Sequence, residues 1–395
     1  AGRLPPLGAN ANASQLEALG LVPEGGPGTP EYPKSKSDIH VVFSTDCTPY
    51  QQWQAVTLFH SAHIAGHTAP ITQLVSGCDD AERAELMRKH ALWRHQDTHR
   101  QHFTKSFVAK NKDTGETYPY FNKPNAMLDW LSKVGCDESI VGLVDPDFLF
   151  LKPLTPYLSV DEVVVRGDGL SIEGLGLEKG HWVRKGHPAG QRFGLPNWTK
   201  WAGLADICPE GSECVKAGTG EVKKYYDLIP PYLAHREDWD MLLPTWVDQA
   251  PKVFAAYPSL LAEQTAYATA SATMDLRHYR LNNYAIENEK VDYELWAGVD
   301  HDMSNVCNVG IEEGDGARVH LRDYKRMPNF VHYCHMYRVG HWLFNKRRFR
   351  KEQAYDQLDC NSPLLAEPPE ELQTSLFKMH PDGRHEVVTE RSARR

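Results

Sequence analysis

A chain of 395 residues with 41% hydrophobic content can bury one large α/β core with appendages, or two domains. Its 43 basic and 52 acidic residues give a net charge of -9, so no domain-wide basic surface is available to a nucleic acid. No apolar run approaches the ~20 residues that span a bilayer, and the chain opens at Ala1 without a signal pattern, so a membrane is reached only through a removed signal or an anchor absent from this sequence.

Residues 1–37 are rich in Gly, Pro, Ala and Asn and carry too little apolar surface to fold alone, which marks a stem or linker. At Ile39 the character changes. Ile39 to Ser44 is a strand, Thr45 to Pro49 a turn, and Trp53, Val56, Leu58, Phe59 and Ile64 fall at helical spacing. Gly66-His67 ends that helix, and Ile71 to Val75 is a second strand. A β-α-β pattern this short predicts a parallel sheet with right-handed crossovers.

Residues 79–112 are charged and hold His90, His95, His99 and His102. Their spacings match no compact ligand set, so a solvated helix is expected rather than a metal cluster. Tyr118 to Pro124 leads into a helix through Ala126 to Leu131, with Pro124 in its first turn and Lys123 near its N-terminus.

Next comes Ser-Ile-Val-Gly-Leu-Val-Asp-Pro-Asp-Phe-Leu-Phe-Leu, residues 139–151. A continuous apolar run suits a strand buried on both faces, which places Asp145 and Asp147 at its C-terminal end, the edge where open α/β sheets bind ligands. Pro146 bends the chain so that both carboxylates can reach one hard cation. The pair reads as a DxD site holding a divalent metal against the diphosphate of a nucleotide-sugar. Two solvated acids in a strand-end turn are the plainer alternative, but such turns are seldom embedded in so apolar a segment.

Residues 160–225 show no clear period and read as an insertion of loops and short strands on the acceptor side. Tyr225 to His235 is largely apolar. Glu237 to Val247 has helical spacing with Pro244 expected to kink or interrupt it. Leu260 to Met274 is a further helix, with Glu263, Tyr267 and Ala270 on one face. Phe330 to Tyr333 is a strand, and Gly340 to Arg348 closes the core. From about residue 362 the chain is charged and Pro-bearing, a surface-wrapping or disordered tail.

The eight cysteines contain no C-x-x-C pair, which disfavours a zinc or thioredoxin-like site. Cys208 and Cys214 flank a turn-rich loop that a short bridge could close. Asn12-Ala-Ser and Asn197-Trp-Thr are N-glycosylation sequons, and with the even cysteine count they point to a secretory lumen, endoplasmic reticulum or Golgi.

Taken together, Phe43-Ser-Thr-Asp-Cys47 with Trp53-Gln54, Tyr118-Pro119 with Asn122-Lys-Pro124, Asp145-Pro-Asp147 with Lys152-Pro153, Leu261-Ala-Glu-Gln-Thr-Ala-Tyr-Ala268, and His332-Tyr333 with Gly340 to Lys346 resemble the hydroxyproline O-arabinosyltransferases and the related peptidyl serine α-galactosyltransferases. The resemblance covers most of residues 38–350. It implies a GT-A type α/β fold with a mostly parallel sheet, a UDP-sugar donor, Mn²⁺ (or Mg²⁺), and retention of configuration. Pro146 and Lys152-Pro153 look more like the arabinosyl branch. Phe43 to Ser76, Thr114-Gly115 and Gly340-His-Trp342 look more like the galactosyl branch.

Each matched residue then takes a role. Asp145 and Asp147 would hold the metal, with His332 as a third ligand. Lys346 and Arg347 would pair with the diphosphate. Ser44 and Asp46 would contact uridine or ribose, and Lys123 would also lie at the cofactor site. Glu263 is the candidate catalytic acid near the anomeric carbon. An acceptor rich in hydroxyproline would be a polyproline II helix, for which Tyr118, Tyr120, Trp198, Trp201 and Trp239 could line a groove. The division expected is 1–37 stem, 38–350 catalytic domain and 351–395 tail. The rival from another class is an inactive lectin-like scaffold of the same fold.

Overall fold

The computed structural model describes residues 38–92, 98–110, 117–158, 181–281, 284–288, 328–339, 342–350, 376–379 and 385–388. The stem, the Asn12 sequon, His95, Thr114-Gly115, Gly340-His341, Cys307, Cys360 and most of the tail lie outside the described residues.

The first unit is β1 (Ile39–Asp46), helix α1 (Pro49–Ile64) and β2 (Ile71–Ser76), as the periodicity predicts. Thr48 caps α1, its hydroxyl accepting the Gln51 amide. Gly66, at φ +73°, ends it: the Gly66 amide donates to His63 O and the His67 amide to Ala62 O. This closure needs a left-handed residue, which only glycine supplies without steric cost.

The histidine-rich stretch divides where one solvated helix was expected. Helix α2 (Asp80–His90) is opened by a reciprocal cap between Asp79 and Glu82, and β3 (His99–Thr104) follows. β3 runs parallel to β2 with Ile71 beside His99, so sheet pairing overrides the local polarity that suggested a solvated helix. His102 bonds Asp129 at 2.9 Å, and among the described residues none of His90, His99 and His102 belongs to a metal-ligand group.

After the short strands β4 (Ala109–Lys110) and β5 (Thr117–Tyr118) come helix α3 (Asn122–Lys133), strand β6 (Ile140–Val144) and strand β7 (Phe148–Phe150). Beyond β8 (Tyr157–Leu158), β9 (His181–Trp182) and β10 (Ala189–Arg192), three short helices follow: α4 (Leu204–Ile207), α5 (Glu213–Lys216) and α6 (Thr219–Tyr225). The segment 160–225 is therefore not wholly an insertion, since β10 enters the central sheet. Cys208 and Cys214 are bridged, as their spacing allows, and Cys47 is bridged to Cys78, a pairing that the spacing did not announce.

β11 (Leu228–His235) leads into α7 (Arg236–Ala256) and α8 (Ala262–Thr273). Pro244 does not interrupt α7, which runs through both Pro244 and Pro251. Each proline removes one helix hydrogen bond at a cost of about 3 kcal/mol. Burial of Trp239, Leu242, Leu243, Trp246 and Val253 outweighs this, at roughly 1.5–3 kcal/mol per large apolar side chain. The chain continues through β12 (Tyr279–Leu281), β13 (Ala285–Ile286), β14 (Phe330–His332), β15 (Met336–Val339) and β16 (Trp342–Asn345) to a 3-10 turn, Lys346–Arg350. In the C-terminal segment Leu376–Met379 pairs antiparallel with His385–Val388.

The central sheet has seven strands in the order β12-β10-β11-β6-β1-β2-β3, and only β11 runs against the rest. The mostly parallel α/β class expected from the sequence is thus present. Helices α3, α7 and α8 cover one face of this sheet, while α1 and the small sheet β13-β14-β7 cover the other. Burial on both sides explains why β2 and β6 are buried at every position. The parallel register also brings the carboxyl ends of β1 and β6 together, with Phe43 beside Val144.

Candidate functional site

Asp145 leaves β6 at that edge. The Phe148 amide donates to Asp145 O at 3.2 Å, closing a turn with Pro146 at its second position. The turn passes the chain from the central sheet into β7 of the small sheet, where His332 lies opposite Phe148. The Tyr333 amide donates to Asp147 O at 3.1 Å, a further link between the two segments. Sheet pairing therefore carries His332 to the acids across almost two hundred residues of sequence.

Ligand-type atoms of Asp145, Asp147 and His332 lie within 4.8 Å of one another. His332 Nε2 is 3.3 Å from Asp147 Oδ2. Two carboxylate oxygens and an imidazole nitrogen form a donor set that fits Mn²⁺ or Mg²⁺. Asp147 is buried, which alone would raise its pKa, but His332 and Lys346 hold it well below the usual carboxylate range. His332 is raised above its ordinary value: burial opposes this, and the Asp147 carboxylate overcomes it.

Lys346 forms an ion pair with Asp147 Oδ2. Its position comes from aromatic packing, since Phe349 meets Trp53 edge-on at 6.2 Å and Trp53 stacks on Tyr333 at 6.0 Å. Arg347 is exposed, its backbone amide bonded to Asn345 Oδ1 at 2.9 Å. Ser44 and Asp46 are half-buried at the end of β1, on the same edge as Asp145. Asp46 accepts both the amide and the hydroxyl of Thr48, at 2.9 and 2.5 Å.

Lys123 and Glu263 sit differently from the expectation. Lys123 is buried, 2.7 Å from Asp145 Oδ1 and 3.0 Å from Glu263 Oε2. Glu263 is fully enclosed at the first turn of α8, its amide donating to Tyr118 Oη at 2.8 Å. No residue of Leu261 side-chain type could cap this helix, so the Tyr118 hydroxyl substitutes. Glu263 therefore does not reach the protein surface, and Lys123 bridges it to Asp145. The sequence reading of an open helix face is replaced by a core position, in which the Glu263 carboxylate pairs with the buried Lys123 ammonium. Burial pushes Glu263 up to about 7 against the pull of Lys123. Burial lowers Lys123, but the Asp145 and Glu263 carboxylates raise it above the usual lysine value.

The aromatic groove is also corrected. Tyr118, Trp198 and Trp239 are core residues, while Tyr120 and Trp201 are only partly buried against that core. Two features escaped the sequence reading. Glu287, after β13, places Oε2 2.5 Å from His332 Nδ1. A row of amides, Gln52, Gln73 and Gln101, links at 2.9–3.0 Å near the end of β1, with Gln73 donating to Thr45. Neither follows a local motif, because both depend on strand pairing.

No family model matches the chain. It is 34% identical over 126 residues to a peptidyl serine alpha-galactosyltransferase of Arabidopsis thaliana, covering 32% of this chain and 14% of that protein. It is 22% identical over 275 residues to hydroxyproline O-arabinosyltransferase NOD3 of Pisum sativum, covering 66% of this chain and 67% of that one. The matches therefore fall in the group whose motifs the sequence resembles. Among solved structures, the galactosyltransferase LgtC in complex with donor and acceptor sugar analogs aligns at 13% identity and a TM-score of 0.37, covering 75% of this chain and 87% of that one.

Proposed function

We propose that the chain is a UDP-sugar-dependent, retaining glycosyltransferase of GT-A type. The observation that carries this reading is the convergence of Asp145, Asp147 and His332 at the sheet's carboxyl edge, with Lys346 beside them. Asp145, Asp147 and His332 would hold Mn²⁺ or Mg²⁺, which when bound neutralises charge on the departing diphosphate. Lys346, released from Asp147, pairs with phosphate oxygens, and Arg347 extends that basic edge. Ser44 and Asp46 bind the nucleoside. Glu263 holds Lys123, and Lys123 fixes the orientation of Asp145.

The donor is read as UDP-arabinofuranose and the acceptor as hydroxyproline of secreted glycoproteins, from Pro146 and Lys152-Pro153 beside the acid pair. Galactose transfer to peptidyl serine is the second reading, favoured by the higher identity to the Arabidopsis relative. Two disulfides favour an oxidising lumen as the site of action. No helix among the described residues is long and apolar enough to cross a membrane. The test is incubation with each UDP-sugar and paired peptides bearing hydroxyproline or serine, read by product mass. Pentose on hydroxyproline is expected; hexose on serine alone would move the assignment to the second reading, and no transfer with any donor would favour the inactive scaffold.

A further inference from the structure

We infer that Glu287 is a positioning residue for the cation site, holding His332 so that one ring nitrogen faces the acid pair. The inference rests on the metal reading of Asp145, Asp147 and His332.

The backbone builds this contact. β13 runs parallel to β14, with Ala285 beside Phe330 and Ile286 beside Val331. The register brings the next residues along, Glu287 just past the end of β13 and His332 at the end of β14, close together. The Tyr337 hydroxyl lies 2.7 Å from His332 O and 3.2 Å from Glu287 O, so it contacts the backbone at both ends of the pair. Glu287 is 6% exposed, and its Oε2 stands 2.5 Å from His332 Nδ1. Cys334 Sγ also donates to that oxygen at 3.6 Å.

The chemistry follows from the two faces of the ring. A carboxylate at Nδ1 accepts the Nδ1 proton, which leaves Nε2 as the nitrogen free to ligate. Nε2 is the atom directed at Asp147 Oδ2. Without Glu287, His332 could rotate or adopt the other tautomer, and the ligand set would lose its nitrogen. Such outer carboxylates orient ligating histidines and make them more basic, and their loss weakens metal affinity roughly 10- to 100-fold. Glu287, His332 and Cys334 are themselves close enough to form a ligand group. That group would draw His332 through Nδ1, away from Asp147, so the two arrangements exclude each other.

The test uses the full chain with UDP present and follows free Mn²⁺ by electron paramagnetic resonance. Wild type, Glu287→Ala, Glu287→Gln and Asp147→Ala are compared after circular dichroism confirms folding in EDTA. Glu287→Ala is expected to bind Mn²⁺ roughly 10- to 100-fold more weakly. Glu287→Gln should recover most of that loss, because its amide oxygen still accepts from Nδ1. Wild-type affinity in Glu287→Ala overturns the inference, as does a Gln variant that is folded yet no better than Ala. Loss in the Glu287 variants with full affinity in Asp147→Ala overturns it in favour of the Glu287, His332 and Cys334 group. Failure of the wild type to bind Mn²⁺ at all removes the metal reading itself, an outcome separate from these.

Discussion

Lys123 places its ammonium 2.7 Å from Asp145 Oδ1 while only 6% exposed, so one of the acids at the sheet edge is held from inside the protein. The same ammonium is the partner of a fully enclosed Glu263. Removing one member of a buried pair strands the other, at a cost of about 3–5 kcal/mol. Lys123→Ala should therefore lower stability by that order in urea denaturation. Lys123→Ala combined with Glu263→Ala should cost less than the two singles added, with a coupling of at least ~1 kcal/mol. Strict additivity would show that the contact does not hold in solution.

Glu263 also carries a pH signature. Burial raises its folded-state pKa to about 7, against an ordinary value of 4.5, with Lys123 pulling the other way. The folded chain thus binds this proton more tightly than the unfolded one. Its contribution to stability is fully present below about pH 4.5 and is lost as pH rises through about 7. Relative to Glu263→Gln, wild type should lose up to about 1.4 kcal/mol per pH unit inside that window. Depressed acids such as Glu287 lose their contribution at lower pH and cancel in the difference. A flat difference between pH 4.5 and 7 would count against a proton-binding Glu263.

The parts legible in the sequence were those written locally. The apolar run at 140–144 with its Asp-Pro-Asp turn, the β-α-β start and the Cys208–Cys214 loop each carry their signal within a few residues. Long-range pairing hid the rest. Strand β3 looked like a solvated helix because its partner, β2, lies outside any local window. Trp198 and Trp239 looked like groove residues because composition does not separate a buried aromatic from an exposed one. The enclosure of Glu263 was hidden, since a carboxylate on a helix face gives no sign that Lys123 and Tyr118 will pack around it. Glu287 was invisible, because its importance comes from β13 lying beside β14.

Cys47 and Cys78 tie the loops after β1 and β2 at the edge where Ser44 and Asp46 lie, across a separation of 31 residues. Closing such a loop restricts the unfolded chain and contributes about 4 kcal/mol in the chain-entropy model. Cys47→Ser with Cys78→Ser should lower the midpoint of urea unfolding accordingly. UDP binding should weaken as well, because the loop bearing Asp46 loses its tether. Unchanged UDP affinity in a clearly destabilised double variant would separate the bridge from the nucleoside site.

The acid pair itself gives the sharpest test of the cation site. Asp147 has His332 and Lys346 against its oxygens, whereas Asp145 has Lys123. Asp147→Asn keeps the shape but removes the charge that both cations face, and Asp145→Asn does the same on the Lys123 side. Both variants should fold, since β6 ends before Asp145 and its pairing uses Ile140 to Val144. Each should lose Mn²⁺-dependent UDP binding by calorimetry, and excess EDTA should reduce wild type to the same level. Asp147→Asn should lose more, because its carboxylate is the more buried of the two and no solvent can replace it there. Tight, EDTA-resistant UDP binding in either variant would show that the basic residues at this edge hold the diphosphate without a metal, and would leave the fold unaffected.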